Sequence, residues 1–256
     1  MEFHFGTYNL EYGGIDDGNP SRLRRQLTML ADAQADIWAF QECSHWNDPR
    51  TRTLGIIEEV LGMRGYLARS NRGPGGDLSV FIRDASGIRV IEQRHEETPP
   101  YWHGVAHVIA DIDGYGPIRF ASAHLAPSAP SLRVIEAEAF ALIAEKHDLG
   151  PLIAGGDWNA YPPKTPDTDT TGMHPGKIRR KHDTRAAEAL AEYMTDVAAH
   201  LGDTTPTVGH RRKDRLAYRC DRVYTTLPAD SITGYEVIHE DDPESDHRPV
   251  VATFAI

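Results

Sequence analysis

The stretch Pro151-Leu152-Ile153-Ala154-Gly155-Gly156-Asp157-Trp158-Asn159 decides how this chain is read. Pro151 to Ala154 predicts a short buried strand, since a brief apolar run bounded by turn residues suits a strand covered on both faces. Gly155-Gly156 is read as the break that ends it, and Asp157 and Asn159 stand just beyond. Two residues apart, they project to the same side wherever the backbone stays extended. A lone Asp or Asn at a strand end is most often a turn residue. The same pattern recurs along the chain, and the recurrence carries the argument.

Upstream, Glu2 to Thr7 alternates, with Phe3 and Phe5 on one face, and delivers Asn9 beyond its end. Asn19-Pro20-Ser21 is a sound helix start, followed by an apolar stripe of Leu23, Leu27, Leu30 and Ala31. Asp36 to Phe40 reads as a buried strand that delivers Gln41-Glu42, and a helix is expected across Thr51 to Leu61. Strand runs follow at Leu78 to Ile82, Ile88 to Ile91, Val105 to Ile112 and Ile118 to His124, broken by glycine and proline turns. Ser131 to His147 is strongly helical.

Downstream, Tyr161 to Asp183 is rich in Pro, Thr, Asp and Lys and is read as a long functional loop. Thr184 to His200 is expected to be helical, and Asp221 to Thr225, Gly234 to Ile238 and Val250 to Ile256 close the chain as strands. No repeat or linker interrupts this order, and 256 residues suit one domain spanning 1–256. Two packed sheets with helices outside, an α/β (α+β) arrangement, would bury such a pattern.

A formal net charge of −11 argues against a general nucleic-acid coating protein, because binding phosphates needs local positive charge. A nuclease is still compatible, since a carboxylate cluster that holds a cation reverses its own local field. Basic residues bunch at Lys177, Arg179, Arg180 and Lys181, and again at Arg211, Arg212 and Lys213. The start of the chain has no basic cluster followed by an apolar run, and no stretch approaches the length of a membrane span. The expected setting is therefore cytoplasmic, with no membrane partner, and Cys43 and Cys220 are expected as buried thiols in a reducing compartment.

The polar residues at strand ends are Asn9, Glu42, His124, Asp157, Asn159, Asp221, Asp246 and His247. Together they supply what metal-assisted attack of water on phosphorus requires. Glu42, Asp246 and the amide oxygen of Asn9 form an incomplete oxygen shell of the kind magnesium or manganese accepts. Asp157 and Asn159 would activate and orient the water. His247, paired with Asp221, would donate to the phosphate as an imidazolium, and His124 would approach from the other side. His103 and His107 have a helical zinc-site spacing but fall by a strand without acidic partners, and are read as structural.

Six segments resemble the motifs of the endonuclease/exonuclease/phosphatase superfamily, which includes pancreatic deoxyribonuclease, abasic-site endonucleases, inositol polyphosphate phosphatases and sphingomyelinases. They are Thr7-Tyr8-Asn9, Gln41-Glu42, Ser122-Ala123-His124-Leu125, Gly156-Asp157-Trp158-Asn159, Arg219-Cys220-Asp221 and Ser245-Asp246-His247-Arg248-Pro249. They run in family order from Asn9 to Pro249. The resemblance implies a four-layer α/β/β/α sandwich, with two mixed β-sheets flanked by helices, and Mg2+- or Mn2+-dependent phosphoester hydrolysis. It makes Glu42 the main metal ligand with Asn9 and Asp246 near it, Asp157 the water-activating or substrate-orienting carboxylate, and Asn159 a phosphate contact. It also makes His247 and Asp221 a charged pair, with His124 as second histidine. The sequence departs from the pattern after Asp221, where Arg222 stands in place of a frequent aromatic residue.

His124 lies where the abasic-site branch of the family carries tyrosine, and nothing marks a secreted sphingomyelinase. A nuclease-type phosphodiesterase acting on nucleic acid is favoured, with Arg219 at the substrate and Trp158 and Tyr161 as stacking surfaces. The alternatives are a phosphatase or phosphodiesterase of a nucleotide or other small phosphoester, and a non-catalytic binding protein on the same fold. An intact set of carboxylates and histidines speaks against the last.

Overall fold

A computed structural model describes residues 1–73, 75–163, 165, 168–211, 216–239 and 244–256. In chain order the main elements are β1 (Glu2–Asn9), α1 (Ser21–Asp32), β2 (Ile37–Gln41), α2 (Thr53–Leu61), β3 (Met63–Ala68), β4 (Leu78–Arg83), β5 (Ile88–Gln93), β6 (Val105–Ile112), β7 (Gly116–His124) and α3 (Pro130–Ala144). These are followed by β8 (Leu152–Asp157), α4 (Pro175–Lys181), α5 (Arg185–Ala191), β9 (Thr195–Asp196), α6 (Val197–His200), β10 (Asp221–Thr225), β11 (Ile232–Val237) and β12 (Val250–Ala255).

The strands form two six-stranded sheets, β11-β12-β1-β2-β4-β3 and β5-β6-β7-β8-β10-β9. Both are mixed: β1 runs parallel to β2 and β7 parallel to β8, while their other pairings are antiparallel. The sheets face each other over a core that includes Phe3, Phe5, Val80, Val108, Phe120 and Ile153. The apolar stripe of α1, with Ile57 and Leu61 of α2, covers the outer face of the first sheet against Trp38 and Phe40. Phe140 of α3 and Leu190 of α5 cover the second against Ala121 and Leu152. Two apolar outer faces and one shared inner core produce the expected four layers.

Along each central strand the inward residues recur with period two, and their chemistry changes from one end to the other. Phe3 and Phe5 lead to Thr7 and then Asn9, and Ile118 and Phe120 lead to Ser122 and then His124. Midway, the Gln41 amide donates to Thr7 Oγ1 at 3.0 Å and to Ser122 Oγ at 2.9 Å, a buried polar tie between the sheets. Gly155 is needed at this level, because a Cβ there would lie 2.6 Å from Thr7 and 2.8 Å from the Phe5 ring. The interior thus changes from apolar packing to hydrogen bonding to charge toward one end, where the site lies.

Three expectations need correction. The Gly155-Gly156 pair does not break the strand: β8 continues through both glycines to Asp157, paired with β7 and β10. The helix expected over Thr184 to His200 is α5 and α6 separated by β9, whose Asp196 accepts the Ala199 N–H and caps α6. The loop Tyr161 to Asp183 contains α4, started by the His174 side chain and Pro175. A further strand, β3, pairs with β4 ahead of the runs read as strands from Leu78 onward. Among the described residues no helix is long and apolar enough to cross a membrane.

Candidate active site

Register assembles the site. The β7–β8 pairing sets His124 beside Asp157, the β8–β10 pairing sets Asp221 opposite Asp157, and the β1–β2 pairing sets Asn9 beside Gln41, one residue before Glu42. The 245–247 turn is fastened to the end of β1, because Ser245 Oγ donates to the Asn9 carbonyl at 2.7 Å and accepts the His247 N–H at 3.1 Å. Asn9, Glu42, His124, Asp157, Asp221, Asp246 and His247 therefore share one end of the sandwich.

Asp157 is at the centre. Its Oδ2 accepts the Asn9 amide N–H at 3.1 Å and lies 3.3 Å from His124 Nε2 and 3.6 Å from His247 Nε2. Its Oδ1 accepts the Asn159 backbone N–H at 3.1 Å and the Cys220 thiol at 3.0 Å. Burial would raise its pKa, yet the charges of His247 and His124 pull it well below the ordinary carboxylate value. Burial pushes the Cys220 thiol well above its usual range, so it stays a neutral donor.

His247 is held from behind. Its Nδ1 lies 2.9 Å from both oxygens of Asp221, and Thr207 Oγ1 donates to the same carboxylate at 2.6 Å. Burial works against protonation of His247, but Asp221 and Asp157 outweigh it and raise the pKa to about 10. Burial raises the pKa of Asp221 against the pull of its histidine. At 3.6 and 3.8 Å from Asp157 and Asp246, Nε2 is within charge reach of two carboxylates and too far to hydrogen-bond either. An N–H in that position is free to meet a phosphoryl oxygen.

His124 is raised in pKa, against burial, by Asp157. Its ring stacks on His103, centroids 4.3 Å apart and planes 18° from parallel. Burial and the proximity of His124 push His103 down to about 3, so the ring lying on His124 is neutral. His103 is thus part of the site wall rather than a remote structural histidine. Nothing in its spacing to His124 signals the stack, because the two arrive on separate segments. The support that Thr207 and the Cys220 thiol give the two aspartates is likewise invisible in their spacing.

Several candidates fall in other places. Asn9 turns its amide nitrogen, not its oxygen, into the site: Nδ2 donates to Glu42 Oε1 at 3.2 Å and to Asp157, while Oδ1 accepts the Glu11 N–H. It bridges the carboxylates rather than offering an oxygen ligand. Asn159 has a left-handed φ of 51° just past β8, so the two-residue spacing from Asp157 does not align their side chains. Its Nδ2 donates to the Leu125 carbonyl and its Oδ1 accepts from Lys181 Nζ, each at 3.1 Å. Trp158 is fully buried against Phe140 and Tyr224, leaving no face for a base. Tyr161 is buried against Tyr218 and His182. Arg219 is paired with Asp196 at 2.9 Å as a buried strut. Arg222 is buried and donates to the Ala160 carbonyl at 3.1 Å, supporting the loop after Asp157. Of the second basic cluster, Arg211 is tied to Glu11, while Arg212 and Lys213 lie outside the described residues.

Among the described residues one trio, Asp157, Cys220 and His247, gathers possible ligand atoms within 4.8 Å of one another. A neutral thiol and a protonated imidazole make it a poor cation site. Glu42 and Asp246 fit better. Besides Asp157 and Asp221, this end of the sandwich carries these two carboxylates, a donor set of the kind one divalent ion accepts. Glu42 accepts Asn9 on one oxygen and the Tyr12 N–H on the other at 2.9 Å, which leaves a lone pair on each.

Beside His247 and Asn159 opens a pocket of about 260 Å³. Met173, Val208, Leu216, Tyr218 and Cys220 line it, together with Lys177 and Lys181 of α4. Gly209, at φ 88°, lets Val208 and Leu216 meet, since a Cβ there would lie 2.7 Å from the Leu216 carbonyl.

Residues 6–247 match the endonuclease/exonuclease/phosphatase family profile. No curated protein matches the sequence. Among solved structures, an AP endonuclease from Archaeoglobus fulgidus is similar at TM-score 0.72 and 18% identity, covering 99% of this chain and 100% of that one. Humanized D. rerio TDP2 gives 0.70 and 17%, with 100% and 99% covered. A mannosyl-6-phosphatase from Bacteroides thetaiotaomicron gives 0.64 and 16%, with 98% of each covered. At such identities these neighbours show the fold, and the family match adds the chemistry: this chain belongs to the endonuclease/exonuclease/phosphatase family of phosphoester hydrolases.

Proposed function

We propose that this protein is a divalent-metal-dependent phosphodiesterase that cleaves nucleic acid. The observation that carries the reading is His247: one nitrogen is clamped by Asp221, and the other points as an imidazolium between Asp157 and Asp246. That donor suits the oxygens of a phosphodiester. His124, whose pKa Asp157 raises, places a second imidazole against the same carboxylate. Asp157, held well below the ordinary carboxylate range, is a weak base and acts by fixing both rings. Magnesium or manganese would be held by Glu42 and Asp246, and when bound would neutralise charge on the phosphoryl oxygens.

Preference for nucleic acid rests on cations at both flanks. Lys177 and Lys181 border the pocket beside His247. Across the site Arg72 lies 3.6 Å over the Trp102 ring, next to the His103 that backs His124. A chain of phosphates crossing from one flank to the other would meet both. A small phosphoester is the second reading, favoured by the pocket, whose size is just under the roughly 300–1,000 Å³ of small-molecule sites.

Glu42→Gln should abolish metal-stimulated hydrolysis of DNA, RNA and a generic aryl phosphodiester while leaving thermal unfolding unchanged. Full turnover by this variant would overturn the metal assignment. EDTA should stop the wild type, with magnesium or manganese restoring it.

A further inference from the structure

We infer that His103 is a positioning residue for hydrolysis, whose ring fixes the plane of His124 and so keeps His124 Nε2 on Asp157. This rests on the phosphoester-hydrolase reading and adds a residue to that same site. The two histidines beside Asp157 are held in different ways. His247 has Asp221 behind it, with both carboxylate oxygens 2.9 Å from Nδ1. His124 Nδ1 is buried and, among the described residues, has no hydrogen-bond partner. One contact, Nε2 to Asp157 Oδ2 at 3.3 Å, fixes a point and leaves the ring free to turn about it. The stack on His103, centroids 4.3 Å apart and planes 18° from parallel, removes that freedom.

The backing ring is itself gripped. His103 Nδ1 lies 3.3 Å from Ser70 Oγ, and the His103 carbonyl accepts the Asn71 N–H at 3.3 Å. Gly76 leaves the space the ring needs, because a Cβ there would lie 2.1 Å from His103 Nδ1. The fully buried Glu136 of α3 draws the two histidine segments together. One of its oxygens accepts the Trp102 N–H, next to His103, and the other accepts the Ala126 N–H at 2.8 Å, just past His124. A carboxylate behind His124 would add charge to this wall, whereas a neutral ring orients its neighbour without adding any.

Kinetics of the full chain on a generic aryl phosphodiester, in magnesium, compare four variants with the wild type. His103→Ala should lower kcat by about 10-fold or more with KM little changed, the scale of a misplaced catalytic group. His103→Phe, which keeps a flat ring, should restore most of that loss. Gly76→Ala, which leaves the imidazole in place but pushes on it, should lower kcat in the same way. Added to His103→Ala it should cost nothing further, because the ring it displaces is already gone. Native kcat in His103→Ala, a His103→Phe as poor as His103→Ala, or additive losses overturn the role. Should His103→Ala fail to fold, native kcat in Gly76→Ala overturns it alone. Proton NMR reads the stack directly: the His124 ring signals, assigned by their loss in His124→Gln, should move downfield in His103→Ala and stay upfield in His103→Phe. Signals that do not move in His103→Ala overturn the stack. The spectrum is read without turnover, so failure of the hydrolase reading would show separately as no cleavage of any phosphoester by the wild type.

Discussion

At Asp157 Oδ2 an amide from one sheet and two imidazoles converge on a single buried oxygen. The arrangement makes His247 the titrating group to follow. Its pKa of about 10 is above the ordinary 6.5, so the ring stays protonated through neutral pH and loses its proton only near 10. If the imidazolium serves turnover, kcat should hold from neutral to alkaline pH and fall near 10. Asp221→Asn removes the charge first among those that raise it, so the alkaline fall should move toward neutrality. Turnover at pH 7 should drop by about 100-fold or more, within the range of a positioned proton donor, with KM little changed. A variant whose alkaline fall stays in place would count against the pairing as the source of the shift. At this scale the sequence was readable in kind: Asp221 and His247 pair as their motifs imply. It was misleading for Asn159, whose left-handed backbone no spacing rule foresees, and for Trp158, buried beside a motif residue.

In the proposed function, α4 is the element that would link polymer binding to chemistry. Arg133 of α3 donates to the Arg180 carbonyl at 2.6 Å and to the Ala126 carbonyl at 3.1 Å, fastening the end of α4 near the His124 loop. Lys177 and Lys181 are thereby presented on one side of the helix. Lys177→Ala with Lys181→Ala should raise KM for single-stranded DNA by about 10-fold. It should also reduce the slope of log(kcat/KM) against log[salt] by about 0.7 for each phosphate that is no longer neutralised. An unchanged slope would remove the lysines from the backbone path. The helix itself was hidden in composition. Pro175 and Gly176 read as loop residues, and only the His174 cap and Pro175 at the first turn show a helix start. Thr184 to His200 misled in the opposite direction, because an alanine-rich stretch hides the two residues that pair with β10.

For the molecule as a whole, the period-two pattern made the sandwich legible. The inward rows Phe3-Phe5 and Ile118-Phe120 are plain in the sequence, and Asn9 and His124 continue their parity. Which rows meet was not legible, because that depends on strand order across the two sheets. The interior also sets an acid limit. Burial and Arg119 push His107 down to about 4, so between pH 6.5 and 4 the unfolded chain binds a proton that the folded ring refuses. Its contribution therefore lowers stability as pH falls through that window. In His107→Leu the urea midpoint should decline less steeply from pH 6.5 to 4 than in the wild type. Parallel declines would show that the histidine does not drive the loss.

The bond from Asn9 to Asp157 joins residues carried by opposite sheets, which the chain itself links through the connections from β4 to β5 and from β10 to β11. The catalytic centre is therefore an alignment gauge for the sandwich. A slide of a fraction of an ångström between layers would cost only a little packing, yet it would open a 3.1 Å contact and unseat the rings that depend on Asp157. In rising urea, hydrolysis should vanish at concentrations where tryptophan fluorescence, reporting the buried Trp38, Trp46 and Trp158, is still native. Coincident loss of both signals would mean that the two layers separate only when the whole protein unfolds.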